Sequence, residues 1–155
     1  MNYFVTGATG FIGKFLLEQL LKRDNAKVYV LVRESSKDKI DALKHRYGDA
    51  GKNLIAMYGD ITTPGLVSAA DFKKLKGQID HVFHLAAVYD MNMDDATGDR
   101  INNEGTRNLV AFCNDLGGKV RLFVERGGAP NELSPGAVAE QAITLPVLTR
   151  AARAR

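Results

Sequence analysis

Apolar residues in this chain fall either into short continuous runs or into longer stretches with a helical repeat. The short runs predict buried strands at 3–5, 27–32, 53–58, 79–87 and 119–124. The helical repeats between them predict helices at 12–22, 37–47, 71–76 and about 94–116. Strands that alternate with helices are typical of a parallel sheet covered on both faces. The pattern therefore predicts an α/β fold with a doubly wound parallel sheet.

The turn between the first strand and the first helix carries Gly7, Gly10 and Gly13. Such a turn brings backbone N–H groups and the positive end of the helix dipole to one point, which suits a phosphate or pyrophosphate. Its Gly-x-x-Gly-x-x-Gly spacing differs from Gly-x-Gly-x-x-Gly, but glycine can serve the same purposes in both. The turn predicts a dinucleotide site, with a purely structural turn as the alternative. Four apolar side chains of the following helix are expected to share its buried face: Phe15, Leu16, Leu20 and Leu21.

The end of the second predicted strand bears on the choice of cofactor. In dinucleotide-binding folds an acidic residue near this position holds the ribose 2′-hydroxyl, whereas an arginine accommodates a 2′-phosphate. Here the strand is followed by Arg33 and then Glu34. We interpret Arg33 as a phosphate ligand, which favours NADP(H), with NAD(H) as the alternative. A solvated arginine paired with Glu34 is the alternative for the side chain itself.

The segment 6–13, Thr-Gly-Ala-Thr-Gly-Phe-Ile-Gly, resembles the cofactor loop of the extended short-chain dehydrogenase/reductase superfamily. It is most similar to the branch with fatty acyl-CoA reductases and thioester reductase domains. The resemblance implies a Rossmann-type sheet of strand order 3-2-1-4-5, here truncated after the fifth strand. It also implies a set of cofactor contacts in this loop: Gly7, Thr9, Gly10, Phe11, Ile12 and Gly13.

Two further segments match the same family at the ends of later strands. The Gly-Asp-Ile turn at 59–61 implies that Asp60 lies near the adenine amino group and that Ile61 packs on the ring. Capping of the turn is the alternative for Asp60. The His-Leu-Ala-Ala segment at 84–87 implies that the backbone of Leu85, Ala86 and Ala87 lies against the ribose and nicotinamide side.

A third match lies in the last predicted helix. Residues 102–108, Asn-Asn-Glu-Gly-Thr-Arg-Asn, resemble the family's Asn-Val-x-Gly-Thr-x-Asn. The match gives Asn102 a supporting catalytic role, in holding the active-site water and the proton relay. Gly105 is unfavourable within a helix by about 1 kcal/mol relative to alanine, so we expect close helix–sheet packing there.

Other reactive side chains give weaker signals. His84 stands alone at a buried strand end, where a histidine is more typically hydrogen-bonded structure than an acid or base. The other two histidines have no metal-ligand spacing with it, so we assign no metal site. Cys113 is the only cysteine, lies in a helical pattern and is expected in the core.

The resemblance ends near Val124. In the family a serine-rich turn and a Tyr-x-x-x-Lys motif follow the fifth strand, and they supply the catalytic serine, tyrosine and lysine. None of the five tyrosines here has a lysine four residues later. We therefore predict an incomplete NAD(P)-binding domain at 1–124 and an unrelated tail at 125–155.

The composition of the chain changes at the same place. Beyond 123 there is no lysine and no aromatic residue, and the chain ends in an alanine- and arginine-rich run. We hypothesise a frameshift or premature truncation between 119 and 125, with a natural divergent tail as the alternative. We expect the tail to be disordered or loosely helical around 137–142. Without a helix after the fifth strand, apolar sheet surface and a strand edge would be exposed, so we expect self-association.

Charge and hydropathy exclude some classes of function. The net charge is +3, with basic and acidic residues interleaved, so no nucleic-acid surface is indicated. No run approaches the ~18 apolar residues of a membrane span, and we expect a cytoplasmic protein.

The resemblance implies the NADP(H)-binding portion of an oxidoreductase that reduces acyl thioesters or aldehydes by hydride transfer. The chain as written is expected to be inactive, so whether it is an enzyme stays open. A relative of NAD-dependent nucleotide-sugar epimerases or dehydratases and a binding-only nucleotide module are the alternatives. The expected partners are the dinucleotide and, in the full-length relative, a small-molecule substrate.

Overall fold

The computed structural model describes residues 1–86, 97–98, 100–117, 120–124 and 143–145. Their strands form one sheet in the order β3-β2-β1-β4-β5-β6. The first five strands are parallel, which confirms the predicted order 3-2-1-4-5. The strands have these bounds: β1 Asn2–Thr6, β2 Lys27–Val32, β3 Leu54–Tyr58, β4 His81–His84, β5 Arg121–Val124 and β6 Ile143–Leu145.

Four helices of the described residues flank this sheet: α1 Phe11–Leu21, α2 Lys37–Arg46, α3 Ala69–Leu75 and α4 Gly105–Leu116. Two short 3₁₀ turns lie at Glu34–Ser36 and Gly48–Asn53. The single helix expected at about 94–116 is interrupted, because a five-residue π-helix at Arg100–Glu104, called the π-turn below, precedes α4. Residues 87–96 lie outside the described residues.

The core has two halves because both faces of the sheet are apolar. Along β1, Tyr3 and Val5 pack on one face with α1 and α2, while Phe4 packs on the other with α3 and α4. All three side chains are at most 2% exposed. Cys113 belongs to the second half, which confirms it as a core residue. Each large apolar side chain buried in this way contributes about 1.5–3 kcal/mol through removal of its surface from water.

The buried face of α1 agrees with the prediction at three of its four side chains, since Leu20 and Leu21 are buried and Leu16 packs against the core, but the prediction is wrong at Phe15. Leu17 is fully buried, whereas Phe15 is 48% exposed. The physical reason is helical spacing, because Leu17 lies three and four residues before Leu20 and Leu21 and shares their side, on which Gly13 packs against the backbone of the preceding turn. Phe15 lies on the other side and forms an edge-on aromatic pair with Phe11, with ring centroids 5.1 Å apart.

The sheet continues beyond the fifth strand. β6 pairs antiparallel with β5, from Leu122 opposite Leu145 to Val124 opposite Ile143. The edge of β5 that we expected to be open is therefore paired over these residues. The expectation of disorder or loose helix around 137–142 falls outside the described residues, and self-association stays a prediction.

Candidate functional site

The glycine turn lies directly against the end of β4. Gly7 has φ +72°, and a Cβ added there would lie 2.5 Å from the carbonyl carbon of Leu85 and 2.7 Å from the nitrogen of Ala86. A Cβ on Gly13 would collide with the carbonyl oxygen of Gly7 and lie 2.7 Å from the Cα of Ala8. Any side chain at Gly7 or Gly13 would thus push apart backbone segments that are in contact. These two glycines allow the first strand, its turn and β4 to meet closely.

Gly10 has a different environment from the other two glycines. It is exposed, and an added Cβ would meet only the carbonyl oxygen of Gly7, at 3.2 Å. It is the N-cap of α1, where no side chain supplies a capping hydrogen bond and the first turn holds no acidic residue. The N–H groups at a helix start have no carbonyl partner within the helix, and together with the dipole they attract an anion. The open side of this turn therefore fits a pyrophosphate.

The other predicted residues of the loop lie around this point. Thr9 and Ile12 are half-buried, and Phe11 is 70% exposed. Leu85 and Ala86 are half-buried at the end of β4, next to Gly7. Ala87 lies outside the described residues. The structure thus brings the glycine turn and the end of β4 together, as the two separate motifs suggested.

A cavity of about 610 Å³ opens beside the carboxyl ends of β2 and β3. Arg33 and Asp60 both line it, so two of the three residues expected around the adenosine half are brought together, whereas Ile61 is not among the lining residues. Arg33 is exposed, and no ion pair joins its side chain to that of Glu34, both of which the structure describes. The exposed guanidinium of Arg33 can therefore bind a phosphate group that enters this cavity from solvent.

A loop that lines the cavity was missed by sequence reasoning. Leu66 lines the cavity, is buried and has φ +61°, a conformation that is uncommon for a leucine. It is held there because its N–H donates to the carbonyl of Thr63 at 3.0 Å and its carbonyl accepts from the N–H of Asp60 at 3.0 Å. The Pro64–Gly65 pair is a turn signal that could have indicated this loop.

Asp60 and Ile61 are both engaged within the protein. Asp60 Oδ1 accepts hydrogen bonds from the N–H of Thr62 at 2.8 Å and from its hydroxyl at 2.7 Å, so the capping interpretation is confirmed for this oxygen. The side chain of Ile61 would lie 3.0 Å from a Cβ on Gly105. This close approach explains a glycine at the start of α4. The carbonyl of Ile61 also accepts from Asn108 Nδ2 at 3.0 Å.

His84 is buried between β1 and α4. Its Nδ1 lies 2.8 Å from the hydroxyl of Thr6, and its Nε2 lies 3.0 Å from the hydroxyl of Thr106. Burial lowers the pKa of His84 to about 4, so the ring is neutral at pH 7. These contacts confirm the interpretation of His84 as hydrogen-bonded structure.

Asn102 is half-buried and lies in the π-turn that precedes α4. The backbone carbonyl oxygen of Asn102 accepts a hydrogen bond from the hydroxyl of Thr106 at 2.6 Å. π-Turns within helices occur frequently at functional sites. Asn102 is therefore linked through Thr106 to His84, and through His84 to the end of β4.

Other reactive chemistry is limited in the part of the chain that the structure describes. Burial raises the pKa of the Cys113 thiol to about 12, so it carries no reactive thiolate at pH 7. Within the described ranges, no three His, Cys, Asp or Glu side chains are grouped so that they could hold a metal ion. Across the same residues, no helix has the length and apolar character needed to traverse a bilayer.

Comparison with known proteins identifies relatives of this chain. An NAD-binding family model described as male sterility protein matches residues 5–145, beyond the boundary predicted at Val124. Fatty acyl-CoA reductase 1 of Xenopus laevis is 34% identical over 139 residues, which cover 79% of this chain. They cover only 27% of that reductase, so the chain spans about a quarter of the length of this relative.

Two solved structures share the fold and part of the sequence. One is a thiolation-reductase di-domain from an archaeal non-ribosomal peptide synthetase, 28% identical with a TM-score of 0.63, covering 79% of this chain and 27% of that chain. The other is Gre2 of Candida albicans in complex with NADPH, also 28% identical with a TM-score of 0.63. That match covers 80% of this chain and 36% of the Gre2 chain.

Proposed function

Because this chain belongs to the NAD-binding family described as male sterility protein, we propose that it forms the NADP(H)-binding portion of a reductase. The observation that carries the proposal is the meeting of three parts at one edge of the sheet. The exposed N-cap Gly10, the end of β4 and the cavity with Arg33 lie at carboxyl ends of adjacent parallel strands. Ligands of open α/β sheets bind in the crevice at such an edge.

Each part of this edge suits one part of the dinucleotide. The N–H groups at the start of α1 would hold the pyrophosphate, and Gly10 leaves room for it. The backbone of Leu85 and Ala86 would lie against the nicotinamide ribose. Asp60 and Ile61 would border the adenine, although both also hold the loop and α4 in place. When bound, the nicotinamide supplies or accepts hydride.

Arg33 would determine the preference for NADP(H) over NAD(H). Its guanidinium is exposed at the mouth of the cavity and is not neutralised by Glu34. A guanidinium can bind the 2′-phosphate through two parallel hydrogen bonds, an interaction worth about 1.5–3 kcal/mol. The Gre2 relative was solved with NADPH, which supports the same choice here.

Acyl thioesters or aldehydes are the substrates that we propose for the full-length protein. Support comes from the sequence identity that this chain shares with a fatty acyl-CoA reductase, 34%, and with a thiolation-reductase di-domain, 28%. The family match favours this interpretation over the epimerase or dehydratase alternative. Because this sequence contains no Tyr-x-x-x-Lys, we propose that the chain by itself binds the cofactor without turnover. The cytoplasmic location and the division at Val124 stay predictions.

The test compares NADPH and NADH binding to the purified chain by isothermal titration calorimetry. Replacement of Arg33 by alanine should weaken NADPH binding by roughly tenfold or more and leave NADH binding unchanged. Arg46→Ala is the matched control, because Arg46 is also exposed but lies at the end of α2 outside the cavity lining. Failure to bind either dinucleotide would refute the function. Equal affinities that Arg33→Ala leaves unchanged would refute the preference, and NADPH oxidation with an aldehyde or thioester would refute the inactivity.

A further inference from the structure

Four hydrogen bonds join the end of β4 to the π-turn before α4. The N–H of Ala86 donates to Thr6 Oγ1 at 3.3 Å, and the same oxygen lies 2.8 Å from His84 Nδ1. On the other side of the ring, Nε2 lies 3.0 Å from Thr106 Oγ1, which donates to the carbonyl of Asn102 at 2.6 Å. The chain of contacts thus runs from one candidate cofactor segment to the turn that carries the candidate catalytic asparagine.

The direction of these bonds follows from the number of protons available. A threonine hydroxyl has one proton, and that of Thr106 points at the carbonyl of Asn102, since two oxygens 2.6 Å apart require a proton between them. Nε2 of His84 must therefore be the donor to Thr106. A neutral imidazole carries one proton, so Nδ1 accepts from Thr6. The Thr6 oxygen in turn accepts from Ala86, and all four bonds point the same way.

We propose that His84, with its proton on Nε2, is a positioning residue that ties the π-turn of Asn102 to the end of β4. The register supports this link, because Thr6 and His84 are paired across the parallel strands β1 and β4. His84 itself is only 5% exposed, so it acts through its neighbours and does not contact ligands directly. The consequence for cofactor binding rests on the function proposed above, because Ala86 is expected on the nicotinamide side.

The first test reads the tautomer in the unmodified protein. Long-range ¹H–¹⁵N NMR spectra at pH 7 distinguish a ring protonated on Nε2 from one protonated on Nδ1. The His84 signals are assigned by their absence in His84→Gln. Protonation on Nε2 is expected, and protonation on Nδ1 would overturn the proposal. The tautomer is read in the unmodified protein, so a variant is needed only to assign the signals. If His84→Gln does not fold, His45→Gln and His81→Gln assign the His84 signals by elimination.

The second test separates positioning from general stability. Thr106→Val removes the hydroxyl at nearly constant volume, and Thr106→Ser keeps it. The Kd of NADPH should rise roughly tenfold in Thr106→Val, the equivalent of one lost buried hydrogen bond. The Kd of 2′,5′-ADP, which lacks the nicotinamide half, should stay within about twofold, and Thr106→Ser should bind both ligands like the unmodified chain.

Each other outcome has a definite meaning. Equal weakening of both ligands in Thr106→Val would show a merely structural role and overturn the proposal, as would unchanged NADPH binding. If the unmodified chain binds neither ligand, the proposed function fails while the link can still be judged. In that case the amide resonance of Ala86 decides: it should shift in Thr106→Val and not in Thr106→Ser, and an unshifted resonance in both would overturn the link.

Discussion

Acidification should destabilise this protein through His84 well above the pH at which carboxylates are protonated. Burial lowers the pKa of this ring from 6.5 to about 4 in the folded chain. Between these two values the unfolded chain binds the extra proton and the folded chain does not, so the free energy of unfolding falls as pH falls. One pKa unit corresponds to 1.36 kcal/mol, which gives a loss of roughly 2 kcal/mol between pH 7.5 and pH 5. Such a loss is a large fraction of the stability of a small domain.

The assay is urea unfolding followed by far-UV circular dichroism at several pH values from 7.5 to 5. His84→Gln is the comparison, because glutamine is polar and does not titrate. His81 also has a lowered pKa, mainly through desolvation, and contributes the same sign to both proteins. The difference between the two pH profiles therefore isolates His84. Parallel profiles, with no flatter dependence in His84→Gln, would refute the assignment of a buried neutral ring.

Three further predictions concern other parts of the fold. Gly10→Ala should have a free energy of unfolding within about 1 kcal/mol of the unmodified chain but bind NADPH at least tenfold more weakly. Gly13→Ala should lose about 2–4 kcal/mol of unfolding free energy in chemical denaturation, since its Cβ meets backbone. Equal stabilities of the two variants would contradict the packing at Gly13. In equilibrium unfolding, Leu17→Ala should lower the free energy of unfolding by about 3 kcal/mol and Phe15→Ala by less than about 1 kcal/mol. The opposite order would mean that Phe15, and not Leu17, faces the core. Cys113 should react with a thiol reagent only upon unfolding, because it is 3% exposed and its pKa is about 12, and rapid labelling of the native chain would contradict its burial.

The fold could be predicted from sequence because its signals are local and repeated. Apolar runs give parallel strands, and the glycine turn gives the first strand–turn–helix unit. The prediction for α1 is wrong at one residue, because Phe15 is exposed and Leu17 is buried. Leu17 lies three and four residues before Leu20 and Leu21, so helical spacing places Leu17, and not Phe15, on their face. What the spacing does not show is the close approach of Gly13 to the backbone of the preceding turn, which is visible only when strand and helix are packed together.

The short strand β6 illustrates a second limit of sequence reasoning. The segment Ile143–Leu145 is only three residues long, too short for its alternation to predict a strand, and its pairing with β5 joins it to residues 122–124. The shift in composition beyond 123 led us to expect an open edge. Backbone hydrogen bonding at an edge accepts many sequences, so composition is a weak guide to whether an edge is covered.

Of the two side-chain contacts of His84, the one with Thr6 could be predicted from sequence and the one with Thr106 could not. Parallel strands adjacent in the order 2-1-4 place their carboxyl ends side by side, so Thr6 next to His84 follows from the predicted topology. The contact with Thr106 does not follow, because a regular helix from about 94 to 116 would give a different rotation from the one that the π-turn produces. The turn therefore determines whether the Thr106 hydroxyl, which donates to the backbone carbonyl of Asn102 four residues earlier, also reaches the His84 ring. A motif match can assign Asn102 a role, but the residue that holds it in place is identified only by the direction of the hydrogen bonds.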